Sequence, residues 1–155
     1  MRQVEIINAP ALELAGVPYR GSYADIGGAF GQLHEVLLAR ALYRDGQNNV
    51  AIYFDDVAVT PPEHGRGFAG RSIDAGVAVE PPLERMTLAG GDYAVLRHVG
   101  PYADLGGSYE WLYGVWLPQS ARAAAANTPC YEVYRNTPME VEPKDLVTDI
   151  YLPLA

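Results

Sequence analysis

Apolar residues recur at helical spacing in two stretches of the chain and at strand spacing in several shorter runs. Tyr23–Leu42 carries apolar side chains at every third or fourth position, which predicts an amphipathic helix. Tyr102–Leu117 shows the same period and is followed by Pro118, and Arg122–Ala126 predicts a further helical turn. Thr60–Arg71 holds proline, glycine and charge and predicts a long connection. Short β-branched and aromatic runs predict strands at Val4–Ile7, Leu12–Arg20, Val50–Phe54, Ile73–Val79, Arg85–Leu88, Tyr93–Val99, Pro129–Arg135 and Thr148–Leu152.

The segment at the start of each predicted helix occurs twice in nearly the same order. Gly21–Phe30 and Gly100–Tyr109 agree in most positions, and the remaining pairs include Ile26 with Leu105. The distance from Gly21 to Gly100, close to half of the chain, is the repeat spacing. Self-similarity of this length predicts an internal duplication, with repeats at about residues 1–80 and 81–155. A short slip in the repeat spacing then aligns Asp74 with Asp149, ahead of the last strand of each repeat.

The duplication predicts a single α+β domain over residues 1–155. Each half consists of two strands, a helix and two strands, a β-β-α-β-β module. We expect one antiparallel sheet of about eight strands with the two main helices on one side. A cleft at the pseudo-twofold axis between two like halves is a natural ligand site.

Composition and charge narrow the classes of partner. The chain is 49% hydrophobic and 19% charged, and its net charge is −8. An acidic surface repels phosphate backbones, so we expect no direct nucleic-acid binding. The same field attracts cations. No apolar run approaches the roughly 20 residues of a membrane span, and no signal-peptide pattern begins the chain, so we expect a cytoplasmic protein that does not bind membranes.

Metal, cofactor and nucleophile chemistry finds little support in the sequence. Cys130 is the only cysteine, which excludes an internal disulfide and a cysteine-rich zinc site. No glycine-rich phosphate loop and no serine elbow is present. The acidic pairs lack metal-site spacing. We therefore predict no metal and no cofactor.

The predicted third strand of each half carries the difference that suggests chemistry. At the repeat spacing, Tyr53 of the first half matches Glu132 of the second. If these strands lie near the axis, Glu132 and Tyr53 could approach each other. A carboxylate in so apolar a strand needs a hydrogen-bond partner, an arginine or a bound cation. An edge position in solvent, or a pair with Arg97 or Arg135, remains open as well.

Several motifs in order resemble the GyrI-like (gyrase-inhibitor-like) family, which includes the effector-binding domains of AraC/Rob-type and MerR-type regulators. They lie at Tyr93–Tyr102, Trp116–Pro118, Pro129–Asn136 and Thr148–Leu154, and Ile52–Asp56 fits as well. The resemblance implies a duplicated strand-helix-strand-strand fold and a central cleft for lipophilic, often cationic and aromatic compounds. It implies a stand-alone member, without the helix-turn-helix domain of the regulators.

The resemblance also implies the site residues. A glutamate of the family at the floor of the cleft matches Glu132, and aromatic side chains flank the ligand. The candidates in this chain are Tyr53, Tyr134, Trp111, Tyr109 and Phe30. The eleven tyrosines of the chain suit such a role, because tyrosine offers a flat apolar face and a polar tip.

Three functions compete at this stage. The first is a non-catalytic binder that sequesters a small molecule or presents a ligand-dependent surface to a partner such as DNA gyrase. The second is a hydrolase of cyclopropane-bearing, DNA-alkylating compounds, with Glu132 as base or water-positioning group and Tyr53 or Tyr134 as hydrogen-bond donor. The third is haem binding through one of His34, His64 and His98, for which fold analogy alone is a weak argument.

Overall fold

The structure is a computed structural model and describes residues 2–55 and 59–155, so that Asp56 of the Ile52–Asp56 motif lies outside the described residues. Contacts divide the chain into two compact units, unit 1 with residues 1–10 and 90–155 and unit 2 with residues 11–89. The strands of the described residues are, in chain order, β1 Val4–Ala9, β2 Leu12–Arg20, β3 Asn49–Tyr53, β4 Arg66–Ser72, β5 Glu84–Leu88, β6 Gly91–Val99, β7 Tyr131–Tyr134 and β8 Val147–Pro153.

Unit 2 is a four-stranded antiparallel sheet with one helix. Its strand order is β3-β4-β2-β5. The helix α1, Gly27–Ala39, follows a 3-10 turn at Tyr23–Asp25. It packs on β2 and β4 and buries Leu33 and Leu37, which lie one helical turn apart on one face.

Unit 1 has a four-stranded antiparallel sheet with the order β1-β6-β8-β7. Its helical segment runs through α2, Leu105–Trp111, a π-helical turn at Leu112–Trp116, and α3, Leu117–Gln119. The core of the unit joins the sheet to this segment, and its buried members are Ala94, Leu96, Leu112, Ile150, Leu152 and Leu154.

The two units have matching strand orders, β1-β6-β8-β7 in unit 1 and β5-β2-β4-β3 in unit 2. In each unit the first strand in this order comes from the other half of the sequence. β1 pairs with β6 in unit 1, and β5 pairs with β2 in unit 2. Each half of the sequence therefore contributes its first strand to the other unit. Sheets and helices in this arrangement confirm the predicted α+β class.

The repeated decapeptide, Gly21–Phe30 and Gly100–Tyr109, forms the same turn in both units. Gly21 and Gly100 have φ angles of +135° and +139°, a region that favours glycine. Their N–H groups donate to the carbonyls of Gly65 at 2.8 Å and Leu146 at 2.9 Å. A 3-10 turn and a helix follow in each unit. The repeat is therefore the device by which each second strand turns into its helix.

The last strand of the first half was predicted in the wrong place. Ile73–Val79 is not a strand, and β4 occupies Arg66–Ser72, which apart from Ser72 lies in the predicted connection. The glycines that suggested a loop serve close packing instead: Gly70 pairs with Gly16 across β2 and β4, where a Cβ on Gly16 would lie 2.2 Å from the Ala69 carbonyl oxygen. The alignment of Asp74 with Asp149 is therefore wrong as well, because Asp149 lies in β8 and no strand follows Asp74 among the described residues of the first half.

The predicted helical turn at Arg122–Ala126 is also wrong. Ala124 forms an antiparallel bridge to Leu154, and the Ala125 N–H donates to the Pro153 carbonyl at 2.9 Å. The alanines of Arg122–Ala126 suggested a helix because alanine has a high helix propensity. Pairing with the end of β8 provides backbone hydrogen bonds to this segment instead. Among the helices of the described ranges, none is long and apolar enough to cross a membrane.

Candidate functional site

Glu132 lies on the face of the unit 1 sheet that the helical segment covers. It pairs with Ile150 of β8, a member of the core beneath that segment. Directly opposed residues of neighbouring strands share a face of the sheet. The glutamate is only 3% exposed, so its carboxylate depends on protein groups for its hydrogen bonds.

Two tyrosine hydroxyls bind the carboxylate of Glu132. Tyr109, from α2, donates to Oε2 at 2.5 Å, and Tyr134, further along β7, donates to Oε1 at 2.7 Å. Hydrogen bonds to an ionised acceptor are about twice as strong as those between neutral groups. Each carboxylate oxygen therefore has a tyrosine donor, one from a helix and one from a strand.

A third tyrosine extends this arrangement toward solvent. The ring of Tyr102 meets that of Tyr134 edge-on with centroids 5.5 Å apart, and Tyr102 is 38% exposed. Partial burial raises the pKa of Tyr102, and the charge of Glu132 raises it further. We call Tyr102, Tyr109, Glu132 and Tyr134 the tyrosine–glutamate cluster.

Cys130 lies beside this cluster as an unreactive thiol. Burial raises the pKa of the Cys130 thiol to about 12, and the charge of Glu132 acts in the same direction. Hydrogen bonding to Tyr113 and Tyr109 opposes that rise only in part. A nucleophilic cysteine needs a lowered pKa, so the surroundings of Cys130 are those of a structural thiol.

The helical segment that carries Tyr109 is irregular immediately after it. The π-helical turn at Leu112–Trp116 has no counterpart in α1, which is a continuous α-helix over Gly27–Ala39. Single π-helical turns occur often at functional sites. The irregularity thus distinguishes the segment beside the cluster from the helix of unit 2.

The structure brings together some of the candidates from the sequence. Tyr109 and Tyr134 bind Glu132, whereas Trp111 packs against the core of unit 1. Tyr53 and Phe30 lie in unit 2, where Tyr53 meets Tyr23 with ring centroids 4.4 Å apart. The approach of Tyr53 to Glu132 stays a prediction.

Sequence reasoning missed Tyr102. Its signal was present in the repeat, because Tyr102 and Tyr23 are the same residue of the decapeptide. Tyr102 contacts Tyr134, which ends β7, and Tyr23 contacts Tyr53, which ends β3. The repeated tyrosine was therefore a marker of the site as well as of the turn.

The pairing register changes which residues match between the units. β4 and β8 begin at Arg66 and Val147, which lie slightly further apart than the repeat spacing from Gly21 to Gly100. These two residues pair with Arg20 and Val99 at the ends of matching strands. Counted from these two residues, Ala69 of β4 and Ile150 of β8 hold the same position. Ala69 pairs with Ala51 of β3, and Ile150 pairs with Glu132 of β7.

The counterpart of Glu132 is therefore Ala51, and the counterpart of Tyr53 is Tyr134. The repeat spacing that matched Tyr53 with Glu132 holds into the helix and fails at the third strand. Phe30 takes the place of Tyr109 in the repeat. Unit 2 thus repeats the aromatic residues of the cluster with both the carboxylate and one hydroxyl replaced by apolar groups.

The two arginines considered as partners for Glu132 bind another carboxylate. Arg97 Nε donates to Asp149 Oδ1 at 2.9 Å, and Arg135 Nε donates to Oδ2 at 2.7 Å. Asp149 pairs with Val133, the neighbour of Glu132 on β7, and so faces the other side of the sheet. The ion pairs and the cluster are separate features.

A cavity of about 250 Å³ lies in unit 2 at the start of its helix. Its lining consists of Gly21, Ser22, Tyr23, Ala24, Thr60, Pro61, Pro62 and Gly65. Over residues 2–55 and 59–155, no group of three or more His, Cys, Asp or Glu side chains is placed to hold a metal ion.

Comparison with known proteins adds a family to this geometry. A family model described as a GyrI-like small molecule binding domain matches residues 2–155. The chain is 31% identical over 159 residues to the probable transcriptional regulator YgiV of Escherichia coli K12, across 98% of this chain and 96% of that protein.

Solved structures share the fold. The crystal structure of the EcmrR C-terminal domain has a TM-score of 0.78 at 15% identity, over 100% of this chain and 98% of that one. The structure of SAV2435 bound to tetraphenylphosphonium has a TM-score of 0.67 at 15% identity, over 99% and 94%. In the EcmrR–DNA complex, this chain spans 57% of the EcmrR chain.

Proposed function

This chain belongs to the family of GyrI-like small-molecule-binding domains, and we propose that its tyrosine–glutamate cluster binds lipophilic organic cations. The observation that carries the proposal is the buried carboxylate of Glu132 between the hydroxyls of Tyr109 and Tyr134. Hydroxyls stabilise a buried negative charge without neutralising it. A cationic ligand beside the cluster adds a charge opposite to that of the carboxylate.

The aromatic side chains of the cluster suit the rest of such a ligand. Tyr102 offers partly exposed ring surface next to Tyr134. A cation over a tyrosine face gains about 0.5–2 kcal/mol, more when water is excluded. A quaternary cation with aromatic substituents thus finds charge and apolar surface in one place.

Two further facts support a cation as the ligand. The net charge of −8 raises the local concentration of cations around the protein. SAV2435, which shares the fold, is described as bound to tetraphenylphosphonium, a lipophilic cation. That compound is therefore the probe of choice.

Isothermal titration with tetraphenylphosphonium and with the neutral triphenylphosphine oxide tests the proposal. Glu132→Gln should weaken binding of the cation about tenfold, equivalent to about 1.4 kcal/mol, and leave the neutral compound unchanged. Glu110→Gln removes the same charge from an exposed position on α2 and should change the affinity less than about twofold. Equal affinity of wild type and Glu132→Gln for the cation contradicts the proposal.

A binder of this kind has two possible roles, sequestration of a toxic compound or ligand-dependent contact with a protein partner. The family resemblance suggests DNA gyrase as that partner. A gyrase supercoiling assay with the protein, with and without tetraphenylphosphonium, separates the two roles. A ligand-dependent change in supercoiling supports the partner role, whereas an unchanged rate favours sequestration.

The hydrogen bond from Tyr134 to Glu132 also suits hydrolysis, the second candidate function. A carboxylate can accept a proton from water as the oxygen attacks a strained cyclopropane carbon, while the ring C–C bond breaks and its other carbon takes up a proton. Incubation with an activated cyclopropane and product analysis tests this reaction. Recovery of the intact compound with wild-type protein counts against it.

A further inference from the structure

His98 is a buried imidazole beside the turn that leads to the cluster. It is 8% exposed, with Nε2 at 3.1 Å from the Pro101 carbonyl oxygen and Nδ1 at 2.8 Å from the Ser108 hydroxyl. A carbonyl oxygen only accepts hydrogen bonds, so Nε2 carries the proton. In the neutral ring, Nδ1 then accepts from Ser108. The imidazole thus links strand β6, the turn and helix α2.

Unit 2 makes the corresponding contact with a different side chain. Tyr19 occupies the position of His98 at the repeat spacing, and its hydroxyl donates to the Ser22 carbonyl at 2.5 Å. Ser22 and Pro101 are the same residue of the decapeptide, and Ala29 matches Ser108. Both units therefore bind the same turn carbonyl from the preceding strand.

In unit 1 this carbonyl belongs to the residue directly before Tyr102. The turn begins at Gly100, which has a φ of +139°. Because glycine has no side chain, no Cβ limits the backbone angles at this position. Tyr102 is 38% exposed, so burial alone does not hold its ring. The hydrogen bond from His98 restrains the backbone at the base of Tyr102 together with the Asp104 N–H, which donates to the same Pro101 carbonyl at 3.0 Å.

We propose that His98 is a positioning residue, which holds the Pro101–Tyr102 turn so that Tyr102 stays against Tyr134 and completes the ligand site at Glu132. This inference rests on the proposed function, and it acts through three contacts. His98 binds the Pro101 carbonyl, Tyr102 packs on Tyr134 with centroids 5.5 Å apart, and the Tyr134 hydroxyl binds Glu132 at 2.7 Å.

The corresponding contacts of the two units provide a matched pair of variants for the test. His98→Tyr with Ser108→Ala copies the Tyr19 and Ala29 arrangement of unit 2, and His98→Phe with Ser108→Ala differs from it by one hydroxyl. The tyrosine variant should keep the affinity for tetraphenylphosphonium within about twofold of wild type, and the phenylalanine variant should lose about fivefold. Equal affinities of the two variants overturn the inference.

A second measurement needs no ligand. In protein labelled with 3-fluorotyrosine, the ¹⁹F resonance of Tyr102, assigned with Tyr102→Phe, reports the surroundings of its ring. Burial and Glu132 raise the pKa of Tyr102, so release of the turn should bring its titration toward that of a free tyrosine. We expect this shift in the phenylalanine variant and not in the tyrosine variant.

The two experiments separate the inference from the proposed function. If wild-type protein fails to bind the cation, the proposed function fails, and the ¹⁹F titration still decides whether His98 positions Tyr102. If Glu132→Gln weakens binding while the His98 pair does not differ in either measurement, the proposed function stands and the role of His98 is refuted. Far-ultraviolet circular dichroism of both variants confirms that each is folded.

Discussion

The hydroxyl of Tyr109 donates a hydrogen bond of 2.5 Å to Oε2 of Glu132, which ties the helical segment of unit 1 to strand β7. The contact joins the groups proposed to bind the ligand to the packing of the unit. Its loss should therefore affect both stability and binding.

Tyr109→Phe should lower the free energy of unfolding by about 1–3 kcal/mol, because it leaves a buried carboxylate oxygen without its donor. In the Glu132→Gln background the same substitution should cost less than about 1 kcal/mol, since the charged acceptor is gone. Urea unfolding of the four proteins of this double-mutant cycle measures the difference.

Tyr113→Phe is the control on the same helical segment, because the hydroxyl of Tyr113 is hydrogen-bonded to the Cys130 thiol. It should cost less than about 1 kcal/mol in either background. Equal costs for Tyr109→Phe with and without Glu132 contradict a charge-assisted bond.

Asp149 should make the free energy of unfolding depend on pH in the acidic range. Burial alone would raise the pKa of this carboxyl, but hydrogen bonds from Arg97 and Arg135 outweigh it and hold the pKa below its ordinary value. A depressed folded-state pKa contributes stability that is complete above the unfolded value of about 3.9 and is lost as the pH falls through the folded value.

Asp149→Asn should therefore reduce stability at pH 7 and flatten its decline between about pH 4 and pH 2. Guanidinium unfolding across this range provides the measurement. Asp145→Asn, at an exposed position, should leave the slope as in wild type. An unchanged slope in Asp149→Asn would show that the ion pairs do not govern the acid limb.

Glycines of similar appearance in the sequence should respond in opposite ways to alanine. A Cβ on Gly28 of α1 meets nothing within 4 Å, so Gly28→Ala should stabilise the protein by about 0.5–1 kcal/mol. A Cβ on Gly16 would lie 2.2 Å from a backbone oxygen, so Gly16→Ala should destabilise by about 1–3 kcal/mol.

Thermal unfolding of the two single variants provides this comparison. A rise in Tm for Gly28→Ala beside a fall for Gly16→Ala is the expected result. A fall for both would mean that the surface over Gly28 is covered in solution.

The thiol of Cys130 should resist alkylation in the folded protein. With its pKa raised to about 12 by burial, the thiolate fraction at pH 8 is on the order of 10⁻⁴. Iodoacetamide labelling followed by mass spectrometry should be slow in native protein and rapid in urea. Rapid labelling of the native protein at pH 8 would contradict the raised pKa of this thiol.

Arg71 should hold the segment that follows α1. The guanidinium is 6% exposed, stacks on Tyr43 at 3.9 Å and donates to Gln47 at 2.7 Å, to Asn49 at 2.8 Å and to the Arg44 carbonyl at 3.1 Å. Arg71→Met removes the three hydrogen bonds and the ring contact that the buried Arg71 makes, and should cost about 1–3 kcal/mol.

Hydrogen exchange locates the effect of Arg71→Met. Amides of residues 40–48 should exchange faster than in wild type, whereas those of unit 1 should change little. Arg71→Lys should rescue only in part, because an ammonium lacks the planar fork that reaches several acceptors at once. Uniform exchange throughout the chain would contradict a local role.

Local sequence determined the elements whose side-chain period and boundary residues agree. Leu12–Arg20 is a strand with the predicted bounds, and each copy of the decapeptide turns a strand into a helix at its glycine. The candidates Tyr109 and Tyr134 could be identified from the resemblance to GyrI-like domains, and strand alternation puts Tyr134 on the same face as Glu132. Such features depend on residues that are close together in the sequence, so the order of apolar, polar and glycine residues is enough to predict them.

Tertiary structure decided the features that depend on distant partners. β4 is a strand although Gly67 and Gly70 suggest a loop, and its neighbours pack closely on both: a Cβ on Gly67 would lie 3.0 Å from the Ile52 carbonyl oxygen, and one on Gly70 would lie 3.1 Å from the Leu14 side chain. The exchange of first strands and the match of Ala51 with Glu132 follow from hydrogen-bond register between strands far apart in the chain. Register is a property of the pair of strands, so neither strand alone contains it.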